Sequence, residues 1–349
     1  MRQSKECRAR DGRAASLCED GLSWSTLRYP LMWIGVTAAS AGVAWHAMRP
    51  QPCQHVAGCG ALLDETSGVL NNYAFCGLAT VFFHELASLV MNYRIARPLK
   101  DLIDDVMETF KPSVLLCTTF AVLLIENLVL MGGPSASLIH SASALQGEGH
   151  LRPVYTIIYM EWLINVPLLI ILAGHCALGR SMAQISEVLL VTNVYIVIAW
   201  ASYFIPGYES RWVAVLVSFL MYGWASKEMA RWALEFRRSA PAGAHSRGLR
   251  PFVTLALIIV FGIYGALFLC SMLGKLTTAE EKASYTLLNI GVKLSISMGF
   301  AGIRSAQYHE LLVEMIVNTH LPFQRQVADV ADQARCGSMR TILEEPLLD

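Results

Sequence analysis

Two charged residues of this chain stand where charge is expensive. Lys293 sits in the run Leu287-Leu288-Asn289-Ile290-Gly291-Val292-Lys293-Leu294, too deep in an apolar stretch for its ammonium to reach either edge. Burial disfavours the charged form of a lone lysine and leaves a neutral amine, a nucleophile suited to condensing with an aldehyde. The product would be a Schiff base. Glu161 lies in the middle of another such stretch, Tyr159-Met160-Glu161-Trp162-Leu163-Ile164-Asn165-Val166-Pro167-Leu168-Leu169. A lone carboxylate there takes up a proton unless a cation stands beside it. One buried base and one buried acid in different stretches predict an ion pair across the inside of a helix bundle. The plainer alternative for Lys293 is a lysine paired with an acid for structural reasons alone.

The elements that must hold this pair are apolar and long. Charged residues make up 15% of the 349 residues, 27 Lys+Arg against 27 Asp+Glu, while 54% are hydrophobic; soluble proteins carry roughly 25% charged residues. Such scarcity excludes a disordered chain. The absence of a basic surplus excludes a nucleic-acid binder. Eight apolar stretches, at 28–48, 71–93, 111–133, 153–175, 183–206, 211–234, 251–274 and 283–305, are each about as long as a bilayer crossing requires. The chain is read as an all-α integral membrane protein.

The first stretch differs from the rest. It follows a basic start and contains the small-residue run Ala38-Ala39-Ser40-Ala41, so residues 1–50 are either a cleaved signal peptide or an extra transmembrane helix. Residues 51–70 form a segment with Cys53 and Cys59, residues 71–310 a seven-span core, and residues 311–349 a tail too short for an enzyme domain. Lys and Arg collect in the joints after the 71–93 and 211–234 spans, whereas the stretch from Gly132 to Leu151 has neither. The positive-inside rule therefore puts the start of the core outside and the tail in the cytoplasm, and the plasma membrane is the expected location. Cys53 and Cys59 then lie outside, where a disulfide persists. Cys76, Cys117, Cys176 and Cys270 fall in spans and read as small buried apolar residues. No Cys/His spacing suits a metal site.

The run Glu161-Trp162-Leu163 followed by Pro167-Leu168-Leu169 resembles the third helix of microbial (type 1) rhodopsins. The last span resembles that family's retinal-binding helix, with Lys293 at the Schiff-base position. Val260-Phe261-Gly262-Ile263-Tyr264-Gly265-Ala266-Leu267-Phe268, Met221-Tyr222-Gly223-Trp224 and Ile125-Glu126 are similar to the channelrhodopsin branch, as are the cysteines ahead of the core and His309-Glu310 after it. The resemblance covers residues 71 to about 310 and implies a seven-transmembrane-helix rhodopsin bundle. It further implies all-trans retinal bound covalently to Lys293 as a protonated Schiff base, with Glu161 as counterion. Trp162 and Phe261 would sandwich the polyene, Tyr264 and Phe268 would line the ring end, and Asn165 and Val166 would face the chain. Ordinary helix packing is the alternative for each aromatic.

Departures from the family pattern matter as much. Asn289, one turn before Lys293 and on the same helix face, stands where the family usually has a second acid, and Ile158 replaces an outer arginine. Leu172 occupies the position of a pump's cytoplasmic proton donor, so pumping is disfavoured. The expected function is a photoreceptor acting as a light-gated ion channel, with no enzymatic activity. A sensory or enzyme-linked rhodopsin signalling through a partner or a further domain is the alternative. Pore candidates are Glu85 and His84 in the first core span, Thr119 and Glu126 in the second, and Asn289, Ser297 and Arg304 in the last. Neutral Thr119 and Asn289 favour anions, while Glu85 and Glu126 argue for cations. The implied partners are membrane lipid, small inorganic ions and a second copy of the chain, a dimer that Cys53 or Cys59 could link.

Overall fold

The computed structural model describes residues 66–99, 110–131, 139–141, 152–239 and 246–307, with further helical positions between 32 and 48 and at 309 and 313. Cys53 and Cys59 and most of the tail lie outside these. Seven long helices follow one another: α1 (Thr66–Leu99), α2 (Phe110–Met131), α3 (Thr156–Ile171), α4 (Met182–Ser202), α5 (Tyr208–Ser239), α6 (Leu249–Met272) and α7 (Thr278–Gln307). Consecutive helices from α1 to α6 pack against one another. Buried side chains of α7 close the bundle by bonding to α1, α2 and α3.

Six of the seven are long and apolar enough to cross a membrane. The exception is α5, expected from its apolar outer half to pass as well. Its second half carries Lys227, Glu228, Arg231 and Glu235, and these are partly neutralised by one another: Arg231 bonds Glu228, and Arg180 reaches Glu235 at 2.8 Å. Large apolar side chains such as Leu220, Ile259 and Met298 are exposed on the outside of the bundle, the arrangement a hydrocarbon solvent rewards. Cys76 is exposed on α1 rather than buried, so its expected role as a core residue does not hold; Cys117, Cys176 and Cys270 are partly buried free thiols.

Three local features position the site. Pro167 inside α3 removes one backbone donor, and the helix continues beyond it as a wider π turn at Leu172–Ala177. Gly179, at φ 65°, ends that turn in the left-handed region, and the Ser181 hydroxyl accepts from the Gln184 N–H to start α4. Between α2 and α3, β1 (Ile139–Ser141) and β2 (Pro153–Tyr155) pair antiparallel, with His140 opposite Val154. Strands of three residues carry too little alternation to be read from sequence.

The hairpin fixes Arg152 at the mouth of α3. Arg152 donates to the Ser271 carbonyl at 3.2 Å and to Glu281 Oε2 at 2.8 Å, while the Tyr203 hydroxyl donates to Glu281 Oε1 at 3.1 Å. A buried cation from outside the helix thus ties β2, α6 and α7 together at the end where Ile158 left no arginine. Beside it, burial pushes the Tyr155 phenol up to about 12, with Glu281 adding to the shift. Tyr155 therefore stays neutral under the Lys282 ammonium, which lies 5.1 Å from its ring centroid.

Candidate functional site

Lys293 and Glu161 meet. The ammonium Nζ lies 2.6 Å from Glu161 Oε1, and the two residues are 4% and 2% exposed. The same Nζ reaches Asn289 Oδ1 at 3.4 Å, and the Tyr264 hydroxyl donates to that oxygen at 2.5 Å. Asn165, one turn along α3, donates to Glu161 Oε1 and, at 3.3 Å, to the Thr119 carbonyl of α2. Glu161 Oε2 and Asn165 Oδ1 are buried without a partner. The carboxylate is thus held from one side and keeps a free oxygen for further hydrogen bonding.

Next to this pair runs a cavity between α3, α4, α5, α6 and α7. Every residue expected at the chromophore lies on its wall or on the pair itself: Trp162, Asn165 and Val166 from α3, Phe261, Tyr264 and Phe268 from α6, Asn289 and Lys293 from α7. Trp162 packs edge-on against Tyr264, with centroids 5.2 Å apart. The walls contributed by α4 and α5 were not foreseen. Tyr195 and Ala199 come from α4, and Ser218, Phe219 and Tyr222 from α5. Of these, only Tyr222 belongs to a run that the family resemblance covers. A Cβ on Gly265 would stand 3.3 Å from the Phe219 ring, and one on Gly262 only 2.8 Å from the Tyr222 hydroxyl, so both glycines let α6 approach α5.

A second polar cluster lies further along α7. Glu85 of α1 is wholly buried and accepts from Ser297 of α7 and, at 3.3 Å, from Arg304 of α7. Arg304 also donates to Ser113 of α2 at 2.7 Å. The expected pore residues Glu85, Ser297 and Arg304 are therefore in one contact, and Ser113 is an unforeseen fourth member. His84 only borders them: its side chain is 75% exposed, and its Nδ1 lies 3.9 Å from Glu85 Oε1. Thr119 is buried and donates to its own helix at Leu115, while Glu126 is buried with Oε2 lacking a partner. Leu172 is fully buried in an apolar cluster, where it has no proton to give. Among the described residues no group of His, Cys, Asp and Glu is placed to hold a metal ion.

Solved structures share this architecture. The transmembrane domain and linker region of Salpingoeca rosetta rhodopsin phosphodiesterase superposes with a TM-score of 0.58 at 15% identity, over 84% of this chain and 96% of that one. A cyanorhodopsin from the cyanobacterium Calothrix sp. gives 0.56 at 13% identity, over 70% and 98%. The light-driven proton pump Coccomyxa subellipsoidea rhodopsin gives 0.55 at 18% identity, over 68% and 96%. The fold is that of the seven-helix microbial rhodopsins. No protein-family model and no curated protein matches the sequence. In this rhodopsin fold the lysine and the carboxylate come from α7 and α3, and the aromatic cavity lies beside them.

Proposed function

We propose that the protein is a retinal-binding photoreceptor that acts as a light-gated ion channel. The observation that carries this reading is two buried polar clusters along α7. One joins Lys293, Glu161 and Asn289 to Asn165 and the Thr119 carbonyl of α2; the other joins Ser297 and Arg304 to Glu85 of α1 and Ser113 of α2. Buried polar side chains between membrane helices are costly and mark ion or proton paths.

The residues present fit the chromophore. An apolar, aromatic cavity with an amine on its wall and a carboxylate 2.6 Å from that amine suits a conjugated aldehyde. When bound at Lys293, all-trans retinal supplies light absorption and a light-driven change of shape. Glu161 holds the positive charge at the lysine nitrogen, and Asn165 ties that carboxylate to α2. Tyr264 fixes the orientation of Asn289, which offers the nitrogen a neutral oxygen where an acid would compete with Glu161. Trp162 and Phe261 confine the cavity, and Arg304 with Glu85 ties α7 to α1 in the second cluster. A shift of α7 would separate that last pair and admit water.

Anions are the favoured cargo. In the cluster around Lys293 the side chains of Thr119 and Asn289 are neutral, and both Glu161 and Glu85 are paired with cations. Whole-cell recording under illumination, with external chloride and then sodium replaced, tests both claims. A reversal potential that follows chloride supports anion conduction, one that follows sodium reverses the sign, and no photocurrent removes the channel. A second reading, a photosensor that signals through a partner or further domain, draws on the helix between residues 32 and 48, whose Trp45 stacks on Trp200 of α4. That reading expects a light-dependent spectrum without current. The membrane is the plasma membrane and the tail faces the cytoplasm, a reading supported by the Lys and Arg collected in the joints after the 71–93 and 211–234 spans.

A further inference from the structure

A second cavity lies outside the seven-helix bundle, and its chemistry differs from the first. It is bounded by the amino-terminal helix on one side, with Thr37, Ala41, Gly42 and Trp45, and by α3 and α4 on the other. Leu163, Ile196, Val197 and Trp200 give it an apolar wall. The polar groups on that wall are few. Thr156 is already engaged, its hydroxyl bonded to the His140 ring and to the Trp200 indole.

Asn193 is different. It is 3% exposed, its amide nitrogen lies 3.4 Å from the Thr37 hydroxyl, and its Oδ1 has no partner. An amide buried at membrane depth is retained at a cost unless something completes its hydrogen bonding. A hydroxyl fits that oxygen, since it can donate to it while its own oxygen accepts from elsewhere. Carboxylates and ammonium groups do not fit a wall with no opposing charge.

We propose that the cavity between the amino-terminal helix and α3/α4 binds a membrane-soluble lipid alcohol, an apolar body with a single hydroxyl that bonds Asn193. Sterols and polyene alcohols share this chemistry. The small residues Ala38, Ala41 and Gly42 leave room for the body, and nothing lies within 4 Å of a Cβ built on Gly42. The site needs residues 37–45 to remain in the mature chain as a helix. It does not depend on the Lys293 chromophore, since the two cavities share only Ile196 among their walls.

Two intrinsically fluorescent probes separate the sources, dehydroergosterol and all-trans-retinol. Each is titrated into full-length protein in phospholipid nanodiscs, and energy transfer from tryptophan is followed, Trp45 and Trp200 being on the cavity wall. At least one probe should bind saturably. Asn193→Leu should weaken it about tenfold, the usual worth of one hydrogen bond, and Gly42→Leu, which fills open space, should abolish it. The better probe names the source, sterol or polyene alcohol. Unsaturable transfer for both probes, or binding that both variants leave unchanged, overturns the proposal. So does an intact mass showing that residues 37–45 have been removed. Loss of visible absorption in Lys293→Ala with probe binding retained would separate this site from the chromophore reading.

Discussion

Arg304 of α7 bridges Glu85 of α1 and Ser113 of α2, with the Glu85 carboxylate wholly removed from solvent. Two buried charges attract strongly only because each lacks any other solvent, and each becomes a liability when the other leaves. Arg304→Ala should therefore destabilise the protein by about 3 kcal/mol and raise its conductance in darkness. Thermal unfolding in detergent and dark-current recording check the two parts. Glu85→Gln keeps an acceptor for Ser297 and should cost less, while still leaking.

The counterion assignment has a spectral signature. Glu161 holds the positive charge at the lysine nitrogen, so Glu161→Gln should lose the visible band or shift the absorption strongly. Absorption spectroscopy of the purified variant reads this. An unchanged spectrum would show that Glu161 is not the counterion.

Asn289 offers the converse experiment. Its Oδ1 lies 3.4 Å from Lys293 Nζ and already receives the Tyr264 hydroxyl. Asn289→Asp places a second carboxylate at the nitrogen, which should stabilise its positive charge and move the absorption to shorter wavelength. Combined with Glu161→Gln it should restore the visible band that the single change loses. Failure of that rescue would mean that Asn289 does not face the chromophore.

At the other end, the hairpin arginine should act as a clamp. Arg152→Ala removes a bond to Ser271 and an ion pair with Glu281, both largely buried, and should cost about 2 kcal/mol. The measurement is thermal unfolding, with Arg152→Lys recovering only part of the loss because lysine lacks the fork that reaches both partners.

How far these contacts were legible in the sequence depends on what each residue does to its surroundings. Lys293 and Glu161 stood out because charge in a membrane span is rare and expensive, whereas the α6 aromatics stood out only through the family resemblance, since ordinary helix packing explains each alone. Tyr195, Ala199 and Phe219 did not, since an apolar helix gives no sign of which face meets a cavity and which meets lipid. Adjacent His84 and Glu85 looked equally polar, and only their burial in the fold separates them. Arg152 was hidden for another reason. It serves the core from the residue before a strand too short to be seen, across 129 residues of sequence.

The most direct measurement is the action spectrum of the light-evoked current, recorded in cells and laid over the absorption spectrum of the purified pigment. The current should follow the pigment's band, and in Lys293→Ala both the visible band and the photocurrent should vanish, with hydroxylamine bleaching the native protein under light. A coloured, hydroxylamine-sensitive protein that passes no current at any wavelength would contradict light-gated conduction. A current that survives Lys293→Ala would contradict the chromophore site itself.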